Sequence, residues 1–375
     1  MSVYLDCNAT TPLEPQVIDI MRQYTEYDFA NAGSRTHEFG NIAKSAVEKA
    51  REQVGMVVDT DKSDVIFTSG ATEANNLAIL GLEMYANSED RRHIITSAIE
   101  HKAVLEPIEV LASRGFEITL LQPNESGVIS PYDLAKTLTD KTVLVSLMQA
   151  NNETGVIQPL EEYASVLEGH EAYFHVDAAQ GYGKEITALL NRRIDLISCC
   201  AHKLYGPKGI GALITRRRKY KRPPIEPLMY GGGQERGLRP GTLPVHQIAG
   251  FGKAAELAIQ NHTERKDACL KIKQKALLAL GSLPIKYHGT SNALASTLNF
   301  SIDGVNSEAA IIALKGIAAV SNGSACTSSS YTPSHVLQAM RLSDSEIEGA
   351  LRLSWCHMTD FIPWDDIARV LDSLR

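Results

Sequence analysis

The sequence predicts an α/β protein, with a largely parallel sheet covered by helices on both faces and a second, smaller unit after it. Three observations carry this. Short apolar, β-rich runs alternate with helical stretches from residue 64 to residue 199. Polar residues gather just past the ends of those runs, at the edge where such sheets bind ligands. The strand–helix pattern then restarts after a long helical stretch over 246–280.

A short strand opens the chain and runs into Asn8-Ala9-Thr10-Thr11-Pro12, read as a turn capping a helix over 14–24. An irregular loop over 31–37 precedes a helix with Ile42, Ala46, Val47 and Ala50 on one face. The run 64–68 reads as a strand entering Ser69-Gly70-Ala71-Thr72-Glu73 and an apolar helix. Strand, small-residue turn and helix can cradle a phosphate on backbone N–H groups; a plain N-cap by Ser69 or Thr72 is the other reading. It is not the Walker pattern, because no Gly-Lys-Ser/Thr follows. Further strands are expected over 93–97, 116–121, 142–148, 173–176 and 194–199, with helices after residue 100 and over 131–138 and 160–167. Beyond the linking helix, strands are expected over 296–302, 317–320 and 351–354, with a helix over 307–315.

The polar residues at these strand ends are Thr72, His101, Asn152, Asp177, Gln180 and Lys203. Taken singly, each has an ordinary role: a helix-start histidine, a turn asparagine, an N-capping aspartate, a surface lysine. Lys203, however, lies between an apolar strand and the turn Gly206-Pro207-Lys208-Gly209. Desolvation at such a place favours a neutral amine, the form that makes a Schiff base. An acidic residue beside such a lysine is what a pyridoxal cofactor needs to act as an electron sink.

Three loops stand out. Residues 216–222 carry six basic side chains in seven, read as a solvated turn or a docking site for an acidic partner or nucleic acid. Residues 231–242 form a glycine-rich loop that permits close approach of a ligand or another subunit. Residues 321–331 are rich in Ser, Gly and Ala and read as a mobile exposed loop, where Cys326 suits a reactive thiol better than a core residue. Arg352, between apolar neighbours, suits bidentate carboxylate binding or a solvent-facing edge.

The totals bound the function class. A chain of 375 residues is expected to hold two cores. Its net charge of −7 gives no global attraction to nucleic acid or anionic membrane. No apolar run approaches the ~20 residues that span a bilayer, and the start, Met1-Ser2-Val3-Tyr4-Leu5-Asp6, is read as lacking a signal peptide. Six cysteines without Cys-x-x-Cys spacing argue against a zinc site or disulfide framework and for a reducing, cytoplasmic setting.

Seven motifs in order carry a specific resemblance: Asn8-Ala9-Thr10-Thr11-Pro12, Gly70-Ala71-Thr72-Glu73, Glu100-His101-Lys102, Asn151-Asn152-Glu153, His175-Val176-Asp177, the stretch from Ala201-His202-Lys203 to Gly211, and Gly323-Ser324-Ala325-Cys326-Thr327-Ser328. The chain resembles the cysteine desulfurases of the NifS/IscS type, in the class V branch of fold-type I pyridoxal-phosphate enzymes. The resemblance implies a mainly parallel seven-stranded sheet in a large domain over 14–255. Residues 1–13 and 256–375 would form a smaller α/β domain that carries the catalytic loop at about 321–332. It implies pyridoxal 5′-phosphate as cofactor, no metal, L-cysteine as substrate, a homodimer with a shared active site, and a sulfur-acceptor protein; neither membrane nor direct nucleic-acid binding is expected.

Position by position, Lys203 would hold the cofactor as a Schiff base. Asp177 would pair with the ring nitrogen and Gln180 with the phenolic oxygen. His101 would stack on the ring and move protons. Ala71, Thr72 and His202 would bind the phosphate, with Thr242 reaching in from the partner subunit. Asn152 would serve cofactor and substrate, Arg352 the substrate carboxylate, and Cys326 would take the sulfur as a persulfide while alanine leaves. Cys200 stands where the family commonly has a serine phosphate donor, and a thiol donates more weakly. The loop over 31–34, the segment 234–241 and an end at Arg375, without the tail of housekeeping members, resemble the desulfurases of DNA phosphorothioation systems. Iron–sulfur assembly and tRNA thiolation are the other destinations weighed. A related lyase or aminotransferase, such as one acting on selenocysteine or kynurenine, and a non-catalytic cofactor-binding protein are the competing readings.

Overall fold

The computed structural model describes residues 2–322 and 332–375. Its strands, in chain order, are β1 Val3–Tyr4, β2 Val65–Thr68, β3 His93–Ser97, β4 Glu117–Leu121, β5 Thr142–Met148, β6 Tyr173–Asp177, β7 Leu196–Cys200, β8 Gly211–Thr215, β9 Ile285–Tyr287, β10 Thr297–Ile302, β11 Ala318–Ala319 and β12 Leu351–Ser354. Seven of them make one sheet in the order β2-β8-β7-β6-β5-β3-β4. The pairs from β7 through β4 are parallel, and β8 runs antiparallel to both of its neighbours.

Alternate residues of these strands face opposite helical layers. Val65, Phe67, Ile95, Val145 and Ile197 belong to one apolar cluster, and Ile66, Ile94, Leu144, Leu196 and Leu213 to another. Burial of both faces explains why the strands read as continuous apolar runs rather than alternating ones. The helices Glu38–Met56 and Val245–Gln260 cover the first face, and Ala71–Leu80 and Lys102–Ser113 the second. A three-stranded antiparallel sheet, β12-β10-β9, has its own core around Phe300, Leu353 and Trp355. The β1 strand lies parallel to β11, so the start of the chain joins this smaller core. Among the described residues, no helix is long and apolar enough to cross a membrane.

Four sequence expectations are corrected. The helix expected over 246–280 is two, Val245–Gln260 and His262–Leu280, separated at Asn261. The strand β8 was not anticipated, because it follows the glycine turn directly. The turn at Asn8–Pro12 does not cap the helix Pro15–Glu26, whose N-cap, Glu14, makes no side-chain cap bond; Thr11 instead donates to the His202 carbonyl and accepts from Tyr205 N–H. The basic run is solvated at Arg217, Lys219, Lys221 and Arg222, but two of its arginines are spent inside the molecule. Arg216 is buried and donates to the carbonyls of Val58, Leu189 and Asn191. Arg218 pairs with Asp195 and lies over the Tyr173 ring.

A buried charged pair helps pin the glycine-rich loop, alongside an ion pair from Arg239 to Glu73. Glu235, at φ 47°, accepts two bonds from the Arg51 guanidinium, at 2.8 and 2.7 Å, and a third from Phe67 N–H. Removing one partner of a buried pair strands the other charge. Glu235→Ala is therefore expected to lower the unfolding free energy by about 3–5 kcal/mol, measured by chemical denaturation; an unchanged midpoint contradicts it.

Candidate functional site

A cavity of about 650 Å³ opens at the C-terminal ends of the parallel strands. Its wall includes Ala71 and Thr72 after β2, His101 after β3, Asn152 after β5, Asp177 and Gln180 at the end of β6, and Cys200, His202 and Lys203 at the end of β7. Nine of the twelve residues singled out in the sequence thus meet on one surface. The turns lengthen each strand end by a few residues, which is why the groups converge.

The Ala71–Leu80 helix begins at Gly70 with no side-chain cap, so the N-cap reading of Ser69 or Thr72 is not what the chain adopts. Its first N–H groups are left for an anion. Gly211 explains the close approach of this turn to the lysine loop. A Cβ there would stand 2.5 Å from the Cys199 carbonyl and 2.7 Å from the Gly70 backbone.

Asp177 is held from two sides: Asn75 Nδ2 donates to one oxygen at 2.8 Å and Ala179 N–H to the other at 2.9 Å. His101 caps the Lys102–Ser113 helix by accepting Ala103 N–H on Nδ1 at 3.0 Å, so Nδ1 carries no proton. Burial, with the Lys203 charge adding, holds its pKa below the usual histidine range against the opposing pull of Asp177. Burial and the charges of Lys203 and Lys208 push His202 down to about 4. Burial pushes the Cys200 thiol up to about 11, so it stands as a neutral, weak donor.

Asn8 organises the floor. Its carbonyl accepts from Lys203 Nζ and, at 2.9 Å, from Gln180 Nε2. Its amide donates to the Asn152 carbonyl and to Thr297. Gln180 Oε1 is buried and lacks a partner.

Two predicted residues lie off this wall. Thr242 is exposed. The Arg352 side chain is 1% exposed, donating to Asp6 at 2.6 Å and to the Asn152 carbonyl at 3.0 Å, with Nε unpartnered. Cys326 lies outside the described residues. Before it, Ser321 pairs with the backbone of Arg352. After it, Thr332–His335 line a groove shared with His101 and Asn152.

Asn75, Asn8 and Glu100 were missed as site residues, although all three fall inside or beside the quoted motifs. Glu100 is buried, accepts from Ser97 and from Met148 N–H, and has one oxygen without a partner. Burial, reinforced by Asp177, pushes its carboxyl up to about 8. The folded protein keeps this proton where the unfolded chain has lost it, so its stabilising contribution is complete below the ordinary glutamate pKa and disappears as pH rises to about 8. Relative to wild type, Glu100→Gln is expected to gain thermal stability progressively from about pH 5 to about pH 8; a pH-independent difference contradicts this.

Comparison with known proteins places the chain among relatives of one family. The model of the aminotransferase class-V family matches residues 3–361. Cysteine desulfurase IscS of Vibrio cholerae serotype O1 (strain M66-2) is 42% identical over 363 residues, 96% of this chain and 89% of its own. The structure of DndA from Streptomyces lividans is 47% identical, with a TM-score of 0.83, over 93% of this chain and 98% of that one. A NifS-like protein superposes with a TM-score of 0.89 at 34% identity, covering 100% and 98%.

Proposed function

The chain belongs to the aminotransferase class-V family and is a pyridoxal-phosphate-dependent cysteine desulfurase, and we propose how its own residues divide that work. The observation that carries the proposal is the single cavity in which a lysine, a doubly held carboxylate and an uncapped helix N-terminus meet.

The residues fit the cofactor. The buried, unpartnered Gln180 Oε1 and the open helix start are polar groups awaiting a polar ligand. Ala71, Thr72 and His202 would hold the phosphate, with Cys200 a weak contact. Asp177 would face the ring nitrogen, Gln180 the phenolic oxygen and His101 the ring face. Lys203 would anchor the group covalently. When bound, pyridoxal phosphate supplies an electron sink for the substrate's Cα. Asn75 and Ala179 N–H keep Asp177 oriented as an acceptor. With Nδ1 accepting Ala103 N–H and its basicity lowered by burial, neutral His101 carries its proton on Nε2 and presents it to the cavity as a donor.

Asn152 and Arg352 would take the substrate carboxylate. Arg352 must first give up Asp6, and its buried, unpartnered Nε supports a second acceptor there. The Cys326 thiolate would attack the substrate sulfur, the Cβ–S bond would break, and a persulfide would remain while alanine leaves. Both flanks of the segment that holds Cys326 adjoin Arg352, His101 and Asn152, which supports delivery of that thiol to the cavity.

The smaller domain would comprise residues 1–13 and the chain from Asn261 onward rather than from 256, since Ala258 still packs in the core of the large sheet. Thr242, exposed here, would reach a partner's cavity in a cytoplasmic homodimer. The likeness to DndA supports a DNA-phosphorothioation acceptor over an iron–sulfur or tRNA-thiolation one.

Cys326→Ala is expected to abolish sulfide release from cysteine in the presence of a reductant while the cofactor stays bound. Retained release would sink the desulfurase assignment of this thiol and favour a lyase reading. Borohydride is expected to fix the cofactor on the peptide that contains Lys203 in both proteins; fixation elsewhere, or none, overturns its role as anchor.

A further inference from the structure

Cys7 and Cys356 lie 349 positions apart in sequence and pack together with Tyr205 in a small buried cluster. Their backbones run side by side. Cys7 N–H donates to the Ser354 carbonyl at 3.0 Å, and Asp6 bridges Ser354 in parallel. Both side chains form part of the wall of a surface cavity of about 690 Å³, separate from the cofactor cavity. Small oxidants therefore have a path to two thiols packed in one cluster.

The surroundings favour one thiolate. Thr359 Oγ1 accepts Cys356 N–H at 3.0 Å, which leaves its hydroxyl to donate to Cys356 Sγ, 3.6 Å away. The nearby Cys7, this hydroxyl and the Lys184 charge pull the Cys356 pKa down against its burial, whereas Cys7 is pushed up. Cys356 is thus the better nucleophile of the pair.

We propose that Cys7 and Cys356 form an oxidisable dithiol, a modification site that hydrogen peroxide closes to a disulfide. The Cys356 thiolate attacks one peroxide oxygen, the O–O bond breaks, hydroxide leaves, and Cys356 becomes a sulfenic acid. Cys7 sulfur then attacks Cys356 sulfur, the S–O bond breaks, and the Cys7 proton leaves with the oxygen as water. Two electrons pass from the sulfurs to the peroxide. The site adjoins the lysine loop on two sides. Cys7 precedes Asn8, whose carbonyl accepts from Lys203, and Tyr205 follows Lys203 by two residues.

The test uses cofactor-loaded protein carrying Cys326→Ser, so that the loop thiol does not report. After peroxide, the intact mass is expected to fall by two hydrogens, reversibly with dithiothreitol, and subsequent alkylation to add two groups fewer than in the untreated protein. A non-reduced digest is expected to contain the Cys7 and Cys356 peptides joined. Adding Cys356→Ser abolishes both signals. Adding Cys7→Ser instead leaves a sulfenic acid on Cys356 that dimedone traps. Recovery of both cysteines alkylated, oxygen addition without linkage, linkage through other cysteines, or no dimedone adduct in the Cys7→Ser protein overturns the proposal.

Discussion

A lysine drawn into a cavity needs an acceptor for its N–H groups, and here one main-chain carbonyl provides it. Asn8 receives Lys203 and Gln180 on its carbonyl while its amide reaches Asn152 and Thr297. Its own N–H donates to Ser354. Five segments that the sequence scatters over almost the whole chain therefore meet at one buried residue. Buried polar groups must find partners, so the N-terminal segment cannot shift without unpairing the ends of β5, β6 and β7. The floor of the cofactor cavity and the smaller sheet are a single hydrogen-bonded unit.

This arrangement separates two tasks. The strand ends hold what a cofactor needs: an oriented carboxylate, a neutral histidine and an open helix start. The smaller sheet holds Arg352, the residue proposed for the substrate carboxylate, and keeps it paired with Asp6. A buried guanidinium without a partner is costly; Asp6 offsets that cost. If Arg352 takes the substrate carboxylate as proposed, capture would be coupled to release of the segment that leads into Asn8.

Much of the large sheet was legible because burial of both faces leaves continuous apolar runs, and strand ends can be located where those runs stop. The polar residues just beyond them were readable for the same reason. What stayed hidden depends on partners distant in sequence. The arginines at 216 and 218 read as a solvated or docking surface, yet their acceptors lie at Val58, Leu189 and Asp195. The turn over residues 8–12 read as a helix cap, and its Thr11 hydroxyl instead bonds the lysine loop. Asp6 lies 346 positions from Arg352, and no local pattern announces such a pair. The strand β8 was hidden by the glycines that let it approach Gly70.

In the proposed division of labour, the cavity around Lys203 would activate cysteine and Cys326 would receive its sulfur. The most direct test is a single turnover of cofactor-loaded protein with L-cysteine and no reductant, followed by peptide mass analysis. The expected result is one added sulfur atom on the peptide that contains Cys326, with one alanine released per sulfur. Alanine release with the sulfur on another cysteine, or as free sulfide without any protein adduct, would contradict it.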